Sequence, residues 1–313
     1  MKNATLLFTF LNLIQTMKKM FLMAVTCLLT ASCSNENEVT VSNPVETAPV
    51  RVEVNDFSTS VEDFSSSGGR TRAAVDPGTY NDVKAITLAF YNGSNEVYKA
   101  THVKSEGNYA SFGSFSCHLP LGNYTMVVVG YGLFTDDVFT LTSPTEASFS
   151  PKARETFVKT QTVTISNTNA VNLNATLERI ISGLQIISTD TRVEGVAKIR
   201  TSYAKGGLSF NPTTGLATVN NGFVVEVNPS KPVGQAINMV SFVFLASDEQ
   251  NINITIDVLD DGDNVLFTKT IPNVPFKRNR KTILRGPVFQ TTAQTSSVFQ
   301  IESAWLDDTT VEF

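Results

Sequence analysis

The chain has 313 residues, of which 42% are hydrophobic, 17% charged and 9% aromatic. That balance excludes disorder for most of the length, because a disordered chain carries more charge and fewer aromatics. A net charge of −5 without a long basic run speaks against nucleic acid as a partner, and two histidines leave little material for a metal or catalytic cluster.

Met1 to Ser32 holds three lysines and no acidic residue, and Lys18-Lys19 precedes the apolar run Met20 to Leu29. A basic head, a short apolar centre and the small residues Thr30-Ala31-Ser32 ahead of Cys33 describe a secretory signal. The run is too short for a comfortable membrane span. Small residues ending on a cysteine resemble a bacterial lipobox, although Thr30 stands where a Leu is usual. In that pattern Cys33 is acylated and becomes the first mature residue. Cys27 leaves with the signal, so Cys117 has no intrachain partner. Residues 33–49 are polar and contain proline, which suits a tether. Glu36 and Glu38, close behind the cysteine, resemble the surface-export signal of Bacteroidota lipoproteins.

From Val50 onward the apolar runs are short, β-branched or aromatic, and separated by turn residues. They include Val50 to Val54, Val83 to Tyr91, Tyr124 to Val129, Thr160 to Ile165, Gly222 to Val227 and Val240 to Leu245. Ile252 to Leu259, Val265 to Ile271 and Val298 to Trp305 follow. Ile252 to Val258 alternates apolar and polar residues, as a half-buried antiparallel strand does. Asn92 to Asn95 and Asp260 to Asn264 read as hairpin turns. Thr135 to Phe139 and Glu194 to Tyr203 are the best helical candidates. This pattern predicts an all-β chain of two antiparallel β-sandwich domains in tandem. A polar stretch at Ser166 to Val171 marks the boundary, giving domains at residues 50–168 and 169–313.

Tests for chemistry fail one after another. The aspartates between Asp257 and Asp263 lack the spacing of a calcium loop. Cys117 and His118 are adjacent, so in a strand they point to opposite faces. Gly130-Tyr131-Gly132 is a fragment of a glycine motif with no helix behind it. The expectation is a non-enzymatic protein with no cofactor and no metal. The basic cluster Lys277 to Lys281 reads as a solvated edge strand or turn.

Several motifs together resemble the fimbrillin superfamily of Bacteroidales. Beyond the lipobox, they are Thr71-Arg72-Ala73, the run Leu119-Pro120-Leu121-Gly122-Asn123-Tyr124, and Leu177-Glu178-Arg179-Ile180-Ile181. Arg278-Asn279 with Thr282, Leu284 and Gly286 completes the set. The resemblance implies two transthyretin-like domains and a structural role as a fimbrial shaft, anchor or accessory subunit. Its partners would be other fimbrial subunits joined by strand complementation, the outer membrane through the lipid, and a host or bacterial surface ligand. It further implies Arg-specific cleavage at Arg70 or Arg72 that releases the segment from Val50 to Phe64. The C-terminal stretch, with Phe299, Ile301 and Trp305 on one face, is expected to be an edge or exchangeable strand. The competing reading is a surface lipoprotein that binds glycans in polysaccharide uptake.

Overall fold

The computed structural model describes residues 45–61, 71–77, 80–104, 111–290 and 299–304. These contain strands and turns, with no helix among the described residues. In chain order the strands are β1 (Thr47–Val61), β2 (Thr71–Val75), β3 (Ala85–Asn92), β4 (Asn95–Val103), β5 (Ser114–Pro120), β6 (Gly122–Tyr131) and β7 (Val138–Ser143). There follow β8 (Glu146–Ser150), β9 (Thr156–Ile165), β10 (Val171–Arg179), β11 (Ser182–Ser188), β12 (Lys198–Tyr203), β13 (Ser209–Asn211) and β14 (Leu216–Ala217). The last are β15 (Phe223–Val227), β16 (Asn238–Val243), β17 (Glu249–Leu259), β18 (Val265–Lys277), β19 (Lys281–Gly286) and β20 (Gln300–Ala304).

The first sheet runs β2-β1-β10-β9-β6-β3-β4, with β5 also paired to β1. It curls around a core that includes Val52, Leu88, Phe115, Met126 and Leu177. The curl brings β4 beside β5, where the His102 and Phe115 rings stack 4.1 Å apart. The middle strands are covered on both faces. Ile86, Leu88 and Phe90 enter the inner core, while Ala85, Ala89 and Tyr91 enter another core on the opposite face. That is why Val83 to Tyr91 and Tyr124 to Val129 read as continuous apolar runs without alternation.

The outer core is roofed by a small sheet, β14-β13-β8-β7. Phe149, Phe210 and Phe244 stack there, with the Phe210 and Phe244 centroids 4.4 Å apart. Because β8 pairs with β13, this sheet stitches earlier and later parts of the chain together. A β-sandwich follows, its layers β16-β11-β19-β20 and β15-β12-β17-β18. Its core contains Leu184, Ile199, Ile256, Phe276 and Leu284. The alternation in β17 sends Ile252, Ile254, Ile256 and Val258 inward.

Several features differ from the sequence expectation. Both helical candidates are absent: Glu194 to Tyr203 ends in β12, and Thr135 to Phe139 is a turn leading into β7. Short β-strand propensity at Lys198–Tyr203, paired on both sides by β15 and β17, outweighs the weak helical period. The first strand begins at Thr47, inside the stretch read as tether, because Thr47, Ala48 and Pro49 pair with β5. Most pairings are antiparallel, but β1–β10 and β11–β19 are parallel. Ser166 to Ala170 form the β9–β10 turn, and the change of sheet comes after β10, at Ile180-Ile181.

Candidate assembly site

Strand β1 is the unusual element, an N-terminal strand seated inside a sheet. It pairs in parallel with β10 along most of its length. Its other side is covered first by β5, at Thr47 to Glu53, and then by β2, at Phe57 to Val61. Ala48, Val50, Val52 and Val54 face the core, each at most 7% exposed. Strict alternation would turn Phe57 outward. A register shift between Val54 and Asp56 changes the parity, and Phe57 is fully buried. Burying each of these valines and the phenylalanine stabilises by about 1.5–3 kcal/mol. Without β1 the sheet would show an apolar groove flanked by two rows of unpaired backbone groups.

Phe57 fills a shaped pocket. Its ring lies 4.9 Å from that of Phe157 and 5.8 Å from that of Tyr80. Behind these rings is a buried polar cluster. Arg179 Nη2 is 2.7 Å from Glu155 Oε1 and donates to Tyr80 Oη at 2.8 Å. Tyr80 Oη donates to Glu155 Oε1 at 2.8 Å. The Arg179 guanidinium also lies 4.9 Å over the Phe157 ring. Burial pushes the Glu155 carboxyl up, against the opposing pull of Arg179 and the Tyr80 hydrogen bond. Burial likewise raises the Tyr80 phenol. Sequence reasoning missed this cluster because its members are scattered along the chain, although Arg179 stood out as part of a motif.

Two other motifs acquire local reasons. Arg179 Nη1 donates to Asn279 Oδ1 at 3.4 Å, and Asn279 N donates to the Ile181 carbonyl at 2.9 Å. Asn279 has φ 58°, a left-handed value that asparagine tolerates at the β18–β19 turn. Tyr124 Oη donates to the Pro120 carbonyl at 2.8 Å, which ties the end of β5 to β6. The basic cluster is that β18–β19 turn. Lys277 pairs with Glu249 and Arg278 with Asp248, but Arg280 is buried and not solvated as expected.

Cys33, Arg70 and Trp305 lie outside the described residues. Arg72 is in β2, opposite Ser60 of β1. Cys117 of β5 lies opposite Val50 of β1, and burial pushes its thiol up to about 11. β20 pairs with β19 of its own sheet as an edge strand, with Ile301 opposite Leu284. Phe299 packs on Gly286, where a Cβ would lie 2.8 Å from the ring. The Asp260 carboxylate accepts from Gly262 N and Asn264 N, a self-contained turn. No group of three or more potential metal ligands occurs among the described residues.

These features define an all-β chain with a curled N-terminal sheet closed by an inserted first strand. Residues 46–312 match DUF6562, a family of unknown function, and the chain belongs to that family. No curated protein matches it. Among solved structures it is similar to a candidate adhesin from Bacteroides ovatus, with 13% identity over 88% of this chain and 99% of that one and a TM-score of 0.47. It is also similar to the fimbrial anchor protein Mfa2 from Porphyromonas gingivalis, with 12% identity over 83% and 98% and a TM-score of 0.43. A third is a candidate polysaccharide-binding protein from Bacteroides thetaiotaomicron, with 8% identity over 83% and 98% and a TM-score of 0.44.

Proposed function

We propose that this chain is a cell-surface fimbrial subunit or fimbrial anchor, held in the outer membrane by an acyl group on Cys33 and serving adhesion. Its partners are other fimbrial subunits, joined by β-strand exchange. The observation that supports this reading is the seat of β1. Its inward side chains fill a groove between β10 on one side and β5 and β2 on the other. Strand addition works through main-chain hydrogen bonds and pockets for alternate side chains, and the β1 groove offers both. A cut after Arg70 severs β1 from β2 while leaving β2 on the body of the chain. An uncut chain keeps its own β1 and serves as the anchor. The C-terminal strand β20, at a sheet edge and paired among the described residues with β19, is the donor in this reading.

The test compares intact protein with protein trimmed by an Arg-specific protease, each with and without residues 297–313. Strand exchange gives heat-resistant polymers only from trimmed, full-length protein. Equal behaviour of all samples removes the donor-strand role.

A further inference from the structure

Strands β15 and β16 are edges of the two layers of the C-terminal sandwich. On that side the layers are joined by a loop, residues 228–237, and not by a shared hydrogen-bond ladder. Phe134, after β6, and the Lys152–Arg154 segment, after β8, face the opening and leave a cleft of about 210 Å³. Met239 and Ser241 of β16 also line it.

The charge of this cleft runs against that of the chain. Lys152, Arg154 and Lys231 line it, and among the described residues no carboxylate does. Arg154 is balanced by Asp137, Nε to Oδ2 at 2.6 Å and Nη2 to Oδ1 at 3.0 Å. Glu226, the other carboxylate near Lys152, is held by Arg200 at 2.6 Å. The Lys152 ammonium itself makes no ion pair or hydrogen bond among the described residues. A cationic recess on a chain of net charge −5 concentrates anions locally.

An aromatic ring, Phe134, lines the same cleft as Lys152. The Arg154 guanidinium lies 4.2 Å over Phe134, and Phe134 N donates to Asp137 Oδ2 at 3.0 Å. Phe134 is therefore held in place from one side while 55% of it remains exposed. The exposed part of the Phe134 ring is an apolar surface that a ligand in the cleft could cover. The volume falls below the roughly 300–1,000 Å³ of pockets for drug-sized ligands, so the space suits a single ring.

We propose that this cleft binds one carboxylated sugar residue, a uronic or sialic acid, with its carboxylate on Lys152 and the apolar face of its ring on Phe134. Lys231, from the loop between β15 and β16, also lines the cleft and adds to the attraction. The Tyr203–Ser241 hydroxyl pair, 2.6 Å apart, offers the Ser241 oxygen to a sugar hydroxyl. The site is separate from the β1 groove and does not depend on the assembly reading.

The test is titration of the full chain with methyl glucuronide, the methyl glycoside of N-acetylneuraminic acid, methyl glucoside and sodium sulfate, followed by calorimetry or ligand-observed NMR. At least one acidic glycoside is expected to bind saturably, at least tenfold more tightly than the glucoside, and more weakly as salt rises. Lys152→Gln and Phe134→Ala should each weaken that binding tenfold or more without moving the melting temperature, and Lys152→Arg should retain most of it. Equal binding of the neutral glucoside overturns carboxylate recognition. Sulfate binding as tightly as the acidic glycosides overturns the sugar ring. Absence of saturable binding up to about 20 mM, or unchanged binding by a normally melting Lys152→Gln protein, overturns the site.

Discussion

Gly130 of β6 is the floor on which Phe57 of β1 rests, and a Cβ added there would lie 2.8 Å from Phe57 Cε1 and 3.3 Å from Leu177 Cδ2. The glycine is used for space and not for a special backbone angle. It lets the largest side chain of β1 sink to full burial beside Phe157 and Tyr80.

Filling that space should therefore dislodge the end of β1. Gly130→Val is expected to destabilise by roughly 1–3 kcal/mol through overpacking, and Phe57→Ala by about 3–5 kcal/mol through the cavity it leaves. The two changes share one pocket, so the double variant should be less destabilised than the sum. Denaturant unfolding of the four proteins measures the coupling.

The buried ion pair behind Phe157 predicts both a mutational and a pH effect. Arg179→Met leaves Glu155 buried without its cation and should cost about 3–5 kcal/mol. Burial raises the Glu155 carboxyl above its ordinary 4.5, so the folded protein holds that proton more tightly than the unfolded chain. The resulting stabilisation is complete below pH 4.5 and is lost as pH rises through the raised folded value. Relative to Glu155→Gln, wild-type stability should fall across that window and run parallel above it. Urea titrations at several pH values read the difference, and a rising difference contradicts the assignment.

Cys117 reports on the seat of β1. Cys117 lies opposite Val50 of β1, and burial shifts its ionisation from 9.0 to about 11; Cys27→Ser and Cys33→Ser leave it the one thiol of the chain. That shift alone lowers the thiolate fraction near neutral pH about a hundredfold. Labelling by a disulfide reagent should be slow in the intact chain. It should accelerate sharply once Arg-specific cleavage lets β1 leave. Unchanged labelling after complete cleavage would mean that β1 stays bound.

At the other end of the chain, Gly286→Val should push the Phe299 ring off its site, since the first added carbon would already lie 2.8 Å away. The expected result is release of β20 from β19 and faster proteolysis beyond Pro287, with little effect on the labelling rate of Cys117.

Strand character was legible wherever side chains alternate or β-branched residues cluster. Ile252–Leu259 shows this well, its inward isoleucines following the period of two. What the sequence does not display is partnership. Thr71–Val75 is a strand through its pairing with β1, and nothing in its own residues demands it. The burial of Phe57 depends on a register shift between Val54 and Asp56, which a period-of-two reading turns the wrong way. Gly130 stood out as a glycine, but its use depends on a ring contributed from far earlier in the chain. Of the polar cluster of Tyr80, Glu155 and Arg179, the Arg179 motif was legible, but its partners are ordinary in their own segments. The Lys152 cleft draws its parts from four separate segments for the same reason.

The parallel register of β1 against β10 also has a mechanical consequence. A pull on the chain ahead of Thr47, directed along the strand, would slide β1 past β10 and β5 and load their hydrogen bonds together. A pull across the strand would instead open the bonds one at a time. A tethered molecule with this geometry resists axial traction as a lap joint does, and it yields to peeling from the β2 end.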